Sequence, residues 1–199
     1  MPEIPGEAAG PGEWTTIDGV CYRSVVLCFL FRPSRRAGSE RGAALPDVQG
    51  SSGPRPPGTR EVLLGLKLTG FGTGRVVALG GKIDGTETAL AAAVREVHEE
   101  SGVHLEPEAL HDAGRIAWSF PARPDWNMVA FLFSADAGNA DPHTSEEIEP
   151  RWYAVDGIPW PEMWKDAPHW LPALLAGRRV DAHIVMSGDN ENVASAVVG

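Results

Sequence analysis

The segment Gly81-Lys-Ile-Asp-Gly-Thr-Glu-Thr-Ala-Leu-Ala-Ala-Ala-Val-Arg-Glu-Val-His-Glu-Glu-Ser-Gly-Val103 contains the strongest structural signal in this chain of 199 residues. From Glu87 onward the segment is rich in strong helix formers and has no proline. Gly102 stands where a helix is expected to end, because glycine adopts the left-handed backbone of a C-cap without strain. The segment therefore predicts a loop followed by a helix that ends near Gly102.

Two faces of this predicted helix differ in chemistry. At roughly 100° per residue, Glu96, Glu99 and Glu100 fall within an arc of about 100°. Carboxylates stacked one turn apart repel one another, and a hard cation such as Mg²⁺ relieves that repulsion while keeping positions open for water and phosphate. On their own, the three glutamates are compatible with a solvated acidic face or with a metal site. The residues on a different arc are apolar and would face a core: Leu90, Ala93, Val94 and Val97.

The spacing of the same segment carries a family resemblance. Residues 81–103 fit the pattern G-x5-E-x7-R-E-U-x-E-E-x-G-U without a gap, where U is an aliphatic residue. This is the Nudix box, so the chain resembles the Nudix pyrophosphohydrolases. The resemblance implies an α+β fold with a mixed β-sheet between helices, in which the loop, helix and loop of the box carry the metal site. It also implies Mg²⁺-dependent cleavage of a nucleoside diphosphate linked to another group, with Mn²⁺ as a possible substitute.

Composition and charge suit one enzyme domain. The chain is 43% hydrophobic, which is enough for a sizeable core, and it has a net charge of −10 that argues against generic binding to nucleic acid. We expect a flexible tail over residues 1–15, a single domain over 16–199, and a disordered Pro/Gly/Ser/Arg-rich insert over 33–60. An arginine-rich insert could alternatively touch phosphates.

The sequence also bears on the cellular compartment and on the oligomeric state. No signal peptide or membrane-length apolar run is present, and Cys28 lies in an apolar run where packing is favoured over a disulfide. These features predict a cytoplasmic protein with no membrane partner, the net charge argues against a nucleic-acid partner, and the family resemblance implies a small-molecule nucleotide substrate. They do not distinguish a monomer from a homodimer.

Further elements are predicted outside the helix. The predicted strands are 24–31, 61–67, 114–120, 128–135 and 151–155, followed by a helix-like stretch at 162–176 and a hairpin formed by 182–186 and 193–198. This order fits a mixed α+β sandwich.

Within the Nudix family, the chain is most similar to the MutT-homologue branch that hydrolyses oxidised purine nucleoside triphosphates. The similarity runs from about residue 61 to 188 and rests on five stretches: Leu63-Leu-Gly-Leu-Lys-Leu-Thr-Gly-Phe-Gly-Thr-Gly-Arg75, Gly80-Gly-Lys82, Glu147-Ile-Glu-Pro-Arg-Trp-Tyr153, Ile158-Pro-Trp-Pro-Glu-Met-Trp164 and Trp170-Leu-Pro172.

This resemblance implies roles for residues at matching positions. Glu99, Glu100 and Glu147 are the implied catalytic carboxylates, and the implied metal ligands are the carbonyl of Gly80 with Glu96, Glu99, Glu100 and Glu147. Arg95 and Glu87 are expected to form an ion pair that orients the metal loop. The implied substrate-binding residues are Lys67, Phe71, Leu79, Gly81, Lys82, Trp118, Phe120, Trp164 and Asp166. Lys67 and Lys82 would contact phosphates, while Trp118 and Phe120 could instead be core aromatics.

Two positions depart from that branch. Val77 stands where the branch has an asparagine that hydrogen-bonds the base, and Ala167 stands where it has a second aspartate. Because strong discrimination comes from polar groups that a wrong substrate leaves unpaired, these changes bear on the preference for oxidised purines. Asn127, between Trp126 and Met128 on a loop entering a strand, could supply the missing amide.

The sequence therefore predicts a Mg²⁺-dependent nucleoside triphosphate pyrophosphohydrolase that prefers purines, including oxidised forms such as 8-oxo-dGTP. A Nudix hydrolase for another nucleoside diphosphate derivative, such as ADP-ribose, is an alternative within the same enzyme class. A module that binds a nucleotide without hydrolysing it is an alternative from a different class, although the complete carboxylate set counts against it.

Overall fold

The structure is a computed structural model that describes residues 12–34 and 60–199. Residues 1–11 of the predicted tail and 35–59 of the predicted insert lie outside the described residues. The described strands are β1 (Trp14–Ile17), β2 (Val20–Pro33), β3 (Arg60–Lys67), β4 (Val76–Val77), β5 (His111–Ser119), β6 (Met128–Asp136), β7 (Ile148–Ala154), β8 (Val180–Met186) and β9 (Val193–Val198). The α-helices in the same ranges are α1 (Ala89–Ser101) and α2 (Ala167–Leu175).

All of these strands join one mixed sheet. Its main order is β4-β3-β2-β6-β5-β8-β9, with β1 paired to β2 and β7 paired to β3. The pairs β2–β6 and β5–β8 are parallel, and the other pairs are antiparallel. The predicted α+β class with a mixed sheet is confirmed.

Both faces of the sheet are covered, as the alternation of side chains along β2 shows. Successive residues of a strand point to opposite faces. Val26, Cys28 and Leu30 join the core beneath α1, whereas Phe29 and Phe31 join the core that contains the buried face of α2. The long apolar run in β2 is therefore the centre of two cores, one on each side of the sheet.

Helix α1 begins and ends where its capping residues are. The Thr88 hydroxyl accepts a hydrogen bond from the Ala91 N–H at 3.1 Å, and Gly102 closes the helix in the left-handed conformation with φ +71°. Ala93 and Val97 are fully buried against the sheet, and Leu90 and Val94 pack at the edge of that core. The predicted apolar face of the helix is confirmed.

Several predicted boundaries were wrong. The tail was expected to reach residue 15, but β1 begins at Trp14 because its residues pair with the start of β2. The helix expected at 162–176 begins at Ala167, since residues 160–162 form a separate 3₁₀ turn. Strands β5 and β7 each begin three residues before their predicted starts. Strand β2 contains the predicted strand at 24–31 but begins four residues before it and ends two residues after it. The predicted strand at 128–135 and the C-terminal hairpin are confirmed.

Two smaller expectations concern cysteines and membranes. Cys21 and Cys28 both have free thiols, and Cys28 is buried in the core beneath α1, as predicted. Over the described ranges, no helix has both the length and the apolar character needed to cross a membrane.

Candidate active site

A cavity of about 640 Å³ opens beside β2, within the size range of small-molecule sites. One face of strand β2 forms the floor of the cavity. Its residues alternate along the strand with those that face α1, and they are Arg23, Val25, Leu27 and Phe29. One end of the cavity is polar and reaches the acidic face of α1. The other end is lined by aromatic rings of the loops around β5 and α2.

At the polar end, the glycine pair before the box lets the backbone approach the acidic helix. A Cβ atom at Gly81 would collide with the carboxylate of Glu96, and one at Gly80 would collide with the backbone of Val26. The Gly80 N–H donates a hydrogen bond to Glu100 Oε2 at 2.7 Å. The Gly80 carbonyl accepts no backbone hydrogen bond from any described residue, whereas the carbonyls of Leu79 and Gly81 both do.

Basic side chains lie between these carboxylates and pair with them. Lys67 Nζ lies 2.9 Å from both Glu100 Oε1 and Glu147 Oε2, so it joins α1 to the loop before β7. The implied ion pair between Arg95 and Glu87 is present at 2.8 Å. The Arg95 guanidinium also contacts Glu96 at 2.8 Å and Glu99 at 3.0 Å, and it donates to the Lys82 carbonyl.

Burial and pairing shift the ionisation of these groups in different directions. Burial raises the pKa of Glu96 to about 6 although Arg95 opposes the shift, and burial raises the pKa of Glu100 against the Gly80 N–H and Lys67. The hydrogen bond and charge of Lys67 lower the pKa of the exposed Glu147. Partial burial tends to lower the pKa of Lys67, but its two carboxylate partners outweigh this effect and raise it.

The donor chemistry at this end fits a divalent metal ion. Carboxylate oxygens with one free carbonyl form the hard oxygen set that such ions prefer, and Glu96, Glu99 and Glu147 line the cavity. In residues 12–34 and 60–199, no three His, Cys, Asp or Glu side chains lie close enough together to hold an ion as they stand. Lys67 and Arg95 occupy the space between the carboxylates, so a bound ion would have to displace these ammonium and guanidinium contacts.

The aromatic end is built from rings that pack on one another. Phe71, on the loop between β3 and β4, stacks on Trp164 with centroids 5.2 Å apart and planes at 17°. Phe71 also meets Phe120 and Trp126 edge to face at 6.4 and 5.3 Å. Arg75 lies 4.2 Å from the centre of the Trp164 ring. The Phe71 side chain is substantially exposed, so this stack forms the outer wall of the cavity.

Asp166 is buried behind these rings and is fixed by two indoles. Its Oδ2 accepts hydrogen bonds from Trp118 Nε1 at 2.7 Å and from Trp170 Nε1 at 2.8 Å. Trp118 and Phe120 are buried and also line the cavity. Each ring therefore packs in the core and also presents a surface to the cavity, and their assignment to the base pocket stays a prediction.

One implied substrate residue is elsewhere. Leu79 is fully buried in the core beneath α1 and does not line the cavity, so its assignment to the base pocket was wrong. The reason is its bridge to Cys28, whose N–H donates to the Leu79 carbonyl and which belongs to the same core. The other implied positions, including Gly81, Lys82 and the two departures Val77 and Ala167, line the cavity or contact residues that do.

Sequence reasoning missed Arg23 and Trp126, which both line the cavity. Arg23 had a readable signal, because it alternates in period with Val25, Leu27 and Phe29 on the strand face now seen to form the floor. Trp126 had none, because its place beside Phe71 depends on how two distant loops meet.

The fold and the cavity define an α+β protein with a helix-borne carboxylate cluster next to an aromatic pocket. The chain belongs to the NUDIX domain family, whose sequence pattern matches residues 57–174. Members of this family generally use divalent metal ions.

Two related proteins and one solved structure are similar to this chain. The oxidized purine nucleoside triphosphate hydrolase of Mus musculus is 40% identical over 62% of this chain and 78% of that protein. The protein of the same name from Danio rerio is 38% identical over 64% of this chain and 80% of its own length. The crystal structure of the mutator MutT protein from Bacillus halodurans matches with a TM-score of 0.59 at 17% identity, covering 88% of this chain and 96% of that one. At that identity the structural match concerns the fold alone.

Proposed function

We propose that this Nudix-family protein is a Mg²⁺-dependent pyrophosphohydrolase of purine nucleoside triphosphates, including oxidised forms such as 8-oxo-dGTP. The reaction adds water to the triphosphate and releases the nucleoside monophosphate and pyrophosphate. The similarity to oxidized purine nucleoside triphosphate hydrolases supports the substrate class.

The observation that carries the proposal is the continuity of one cavity from carboxylates to aromatic rings. A nucleoside triphosphate has a polyanionic chain at one end and a flat base at the other. Glu96, Glu99 and Glu147 line one end of the cavity, and Phe71 and Trp164 line the other. A site for an anionic substrate beside acidic side chains requires cations, which the donor set is suited to hold.

At the polar end, some residues would bind Mg²⁺ and others would bind the phosphates. Glu96, Glu99, Glu100, Glu147 and the Gly80 carbonyl would hold Mg²⁺, which when bound neutralises phosphate charge and activates water. Lys82 is exposed at the cavity wall and Arg23 lines its floor, which supports a role for both in binding phosphate oxygens. Lys67 would keep its contact with Glu147 or exchange it for a phosphate.

The base would be held at the other end. Phe71 is substantially exposed within the Phe71–Trp164 stack, so aromatic surface is open at this end of the cavity, and stacking of a base on an aromatic ring contributes about 1–3 kcal/mol. Asp166, held by two indole N–H groups, presents a fixed acceptor to the base edge.

The proposal is tested with purified protein and a panel of 8-oxo-dGTP, dGTP, dATP and ADP-ribose, with Mg²⁺ or with a chelator, and with products identified by liquid chromatography. We expect monophosphate and pyrophosphate from the purine triphosphates only when Mg²⁺ is present. Glu100→Gln removes one ligand charge while keeping side-chain volume. Its turnover should fall about 100-fold or more, because a bound ion supplies several kcal/mol of charge stabilisation.

A matched control is Glu108→Gln, which removes the same charge from an exposed site outside the cavity and should retain wild-type turnover. Circular dichroism checks that both variants fold. If Glu100→Gln kept more than half of wild-type turnover at saturating Mg²⁺, the metal assignment would be wrong. If ADP-ribose were the best substrate, the result would favour a Nudix hydrolase of another nucleoside diphosphate derivative. Nucleotide binding without any hydrolysis would favour a module that binds a nucleotide without hydrolysing it.

A further inference from the structure

The turn between β8 and β9 contacts the aromatic end of the cavity from outside. No residue of this turn, 187–192, lines the cavity. The outer wall that the turn contacts is formed by two loops, one carrying Phe71 and Arg75 and the other carrying Trp164 and Lys165. The turn is therefore placed to affect the wall without touching a ligand in the cavity.

The backbone of this turn is fixed by Asp189. Its Oδ1 accepts hydrogen bonds from the N–H groups of Glu191 and Asn192, both at 2.9 Å. The N–H of Asn192, followed by that of Glu191 and by the Asn192 side-chain amide, lowers the pKa of Asp189 to about 2, so the carboxylate stays ionised near neutral pH. The Ser187 N–H also donates to the Asn192 carbonyl at 2.7 Å. The point from which the Glu191 side chain leaves the turn is therefore well defined.

Glu191 orients one guanidinium on the wall. Its Oε2 accepts a hydrogen bond from Arg75 Nη2 at 2.5 Å. The same guanidinium lies 4.2 Å from the centre of the Trp164 ring, and its Nη1 donates to the Met163 carbonyl at 3.4 Å. The contact with Met163 is long, so Glu191 is the stronger of these two acceptors and determines how the planar group lies on the ring.

A second contact connects the turn to the loop of Trp164. Lys165 Nζ donates to Asn192 Oδ1 at 3.0 Å. The two wall loops also pack closely on each other, because a Cβ atom at Gly72 would come within 3.3 Å of Trp164 Nε1. The turn thus contacts both loops, Arg75 on one and Lys165 on the other.

We propose that Glu191 is a positioning residue, which acts through Arg75 to hold the Trp164 ring in the wall of the cavity. The ion pair is partly exposed, and such pairs contribute about 0–1 kcal/mol to the free energy of unfolding. Its effect is therefore expected on the ring and on ligand affinity rather than on folding. The effect on nucleotides rests on the proposed function, whereas the effect on the ring does not.

Fluorine NMR of the fluorotryptophan-labelled protein, without ligand, tests the effect on the ring. The Trp164 signal is identified by its loss in Trp164→Phe. Glu191→Ala should shift or broaden this signal, and Arg75→Gln, which breaks the same pair from its other side, should do so too. Glu191→Gln keeps an oxygen for Arg75 and should stay close to wild type.

The matched control is Glu149→Ala. Glu149 pairs with Arg151 outside the cavity, and the exposed fractions of the Glu149 and Glu191 side chains are similar, 38% and 43%. This control should leave the Trp164 signal in place. An unchanged Trp164 signal in folded Glu191→Ala or folded Arg75→Gln would overturn the inference.

A double-mutant cycle tests whether Glu191 acts on a ligand through the ring. Calorimetry with dGMP in a chelator measures binding without hydrolysis. Glu191→Ala should weaken dGMP binding about fivefold in wild type and have no further effect in Trp164→Ala. Equal losses in the two backgrounds would overturn the inference. A shifted Trp164 signal and weaker dGMP binding, without hydrolysis of any triphosphate, would leave the inference standing and contradict the proposed function.

Discussion

The two ends of the cavity are held together by different forces. At the polar end, Lys67 and Arg95 hold the carboxylates through ion pairs of 2.8–3.0 Å, and Glu99 and Glu147 are largely exposed to solvent. At the aromatic end, ring packing and buried hydrogen bonds fix Asp166 and its surroundings, and the donors to that carboxylate are the neutral indole N–H groups of Trp118 and Trp170.

This difference predicts how each end responds to a ligand. The ion pairs of Glu99 and Glu147 are exposed, and exposed ion pairs are weak and can exchange one cation for another, so this part of the polar end is suited to accept a metal ion and phosphates. Buried hydrogen bonds resist rearrangement, so the base end is already shaped before a nucleotide arrives. Substitutions at the polar end should therefore alter turnover and metal dependence, while those at the aromatic end should alter nucleotide affinity.

Among substitutions outside the implied metal ligands, the largest effect is expected from Arg95→Lys. A lysine keeps the charge but cannot contact Glu87, Glu96, Glu99 and the Lys82 carbonyl together, because it lacks the planar guanidinium. Arg95 is a positioning residue, so turnover at limiting Mg²⁺ should fall about 10–100-fold and the half-saturating Mg²⁺ concentration should rise.

The control for this variant is Arg151→Lys, since Arg151 pairs with the nearby Glu149 on the exposed surface of β7. Titrations of activity against Mg²⁺ compare the two. An unchanged Mg²⁺ requirement in Arg95→Lys would mean that the guanidinium does not organise the carboxylates. The claim that ion pairs at the polar end control metal dependence would then be wrong.

The two ends also differ in how well they can be predicted from the sequence. Helix α1 and its carboxylate face were predictable because their signals are local: Thr88, Gly102 and the spacing of the glutamates all lie within 15 positions of one another. The two-sided core around β2 was predictable in class from its long apolar run. Within a continuous motif, the spacing along the chain determines how the side chains lie relative to one another.

The contacts between distant segments could not be predicted from residue types. Asp166 is 48 positions from Trp118, and Lys67 is 33 and 80 positions from its two carboxylate partners. The sequence indicated Lys67 as a phosphate contact, but it could not show that the ammonium would bridge two implied metal ligands. Leu79 was misassigned for the same reason, because its side of the sheet depends on its bridge to Cys28.

A smaller effect is expected from Trp164→Ala at the aromatic end. Loss of a stacking face should raise KM for every purine nucleotide about tenfold, in line with 1–3 kcal/mol per stacked base, and change kcat little. Trp164→Phe should restore most of the affinity, because it keeps a ring beside Phe71. Steady-state kinetics at saturating Mg²⁺ measures both constants. A loss confined to kcat would show that the two ends do not separate binding from chemistry.

The smallest effect concerns the stability of the metal-free protein. Burial raises the pKa of Glu96 to about 6, above its ordinary value of 4.5. The folded protein then binds this proton more tightly than the unfolded chain does. The stabilising contribution of the protonated group is therefore fully present below about pH 4.5 and is lost as the pH rises through about 6. Glu96→Gln, which never ionises, should be more stable than wild type at pH 7 and nearly equal to it at pH 4.5.

Urea unfolding in a chelator measures this difference, with an expected upward shift in the urea midpoint of Glu96→Gln at pH 7 of about 1 M. Glu108→Gln, exposed and outside the cavity, serves as the control for loss of one charge. Adding Mg²⁺ at pH 7 should stabilise wild type more than Glu96→Gln, because a bound ion favours the folded state that holds it. If Glu96→Gln were instead less stable at pH 7, the ion pair with Arg95 would outweigh the cost of burial. The polar end would then contribute to the fold before any metal is bound, and its carboxylates would not be groups kept for function at the expense of stability.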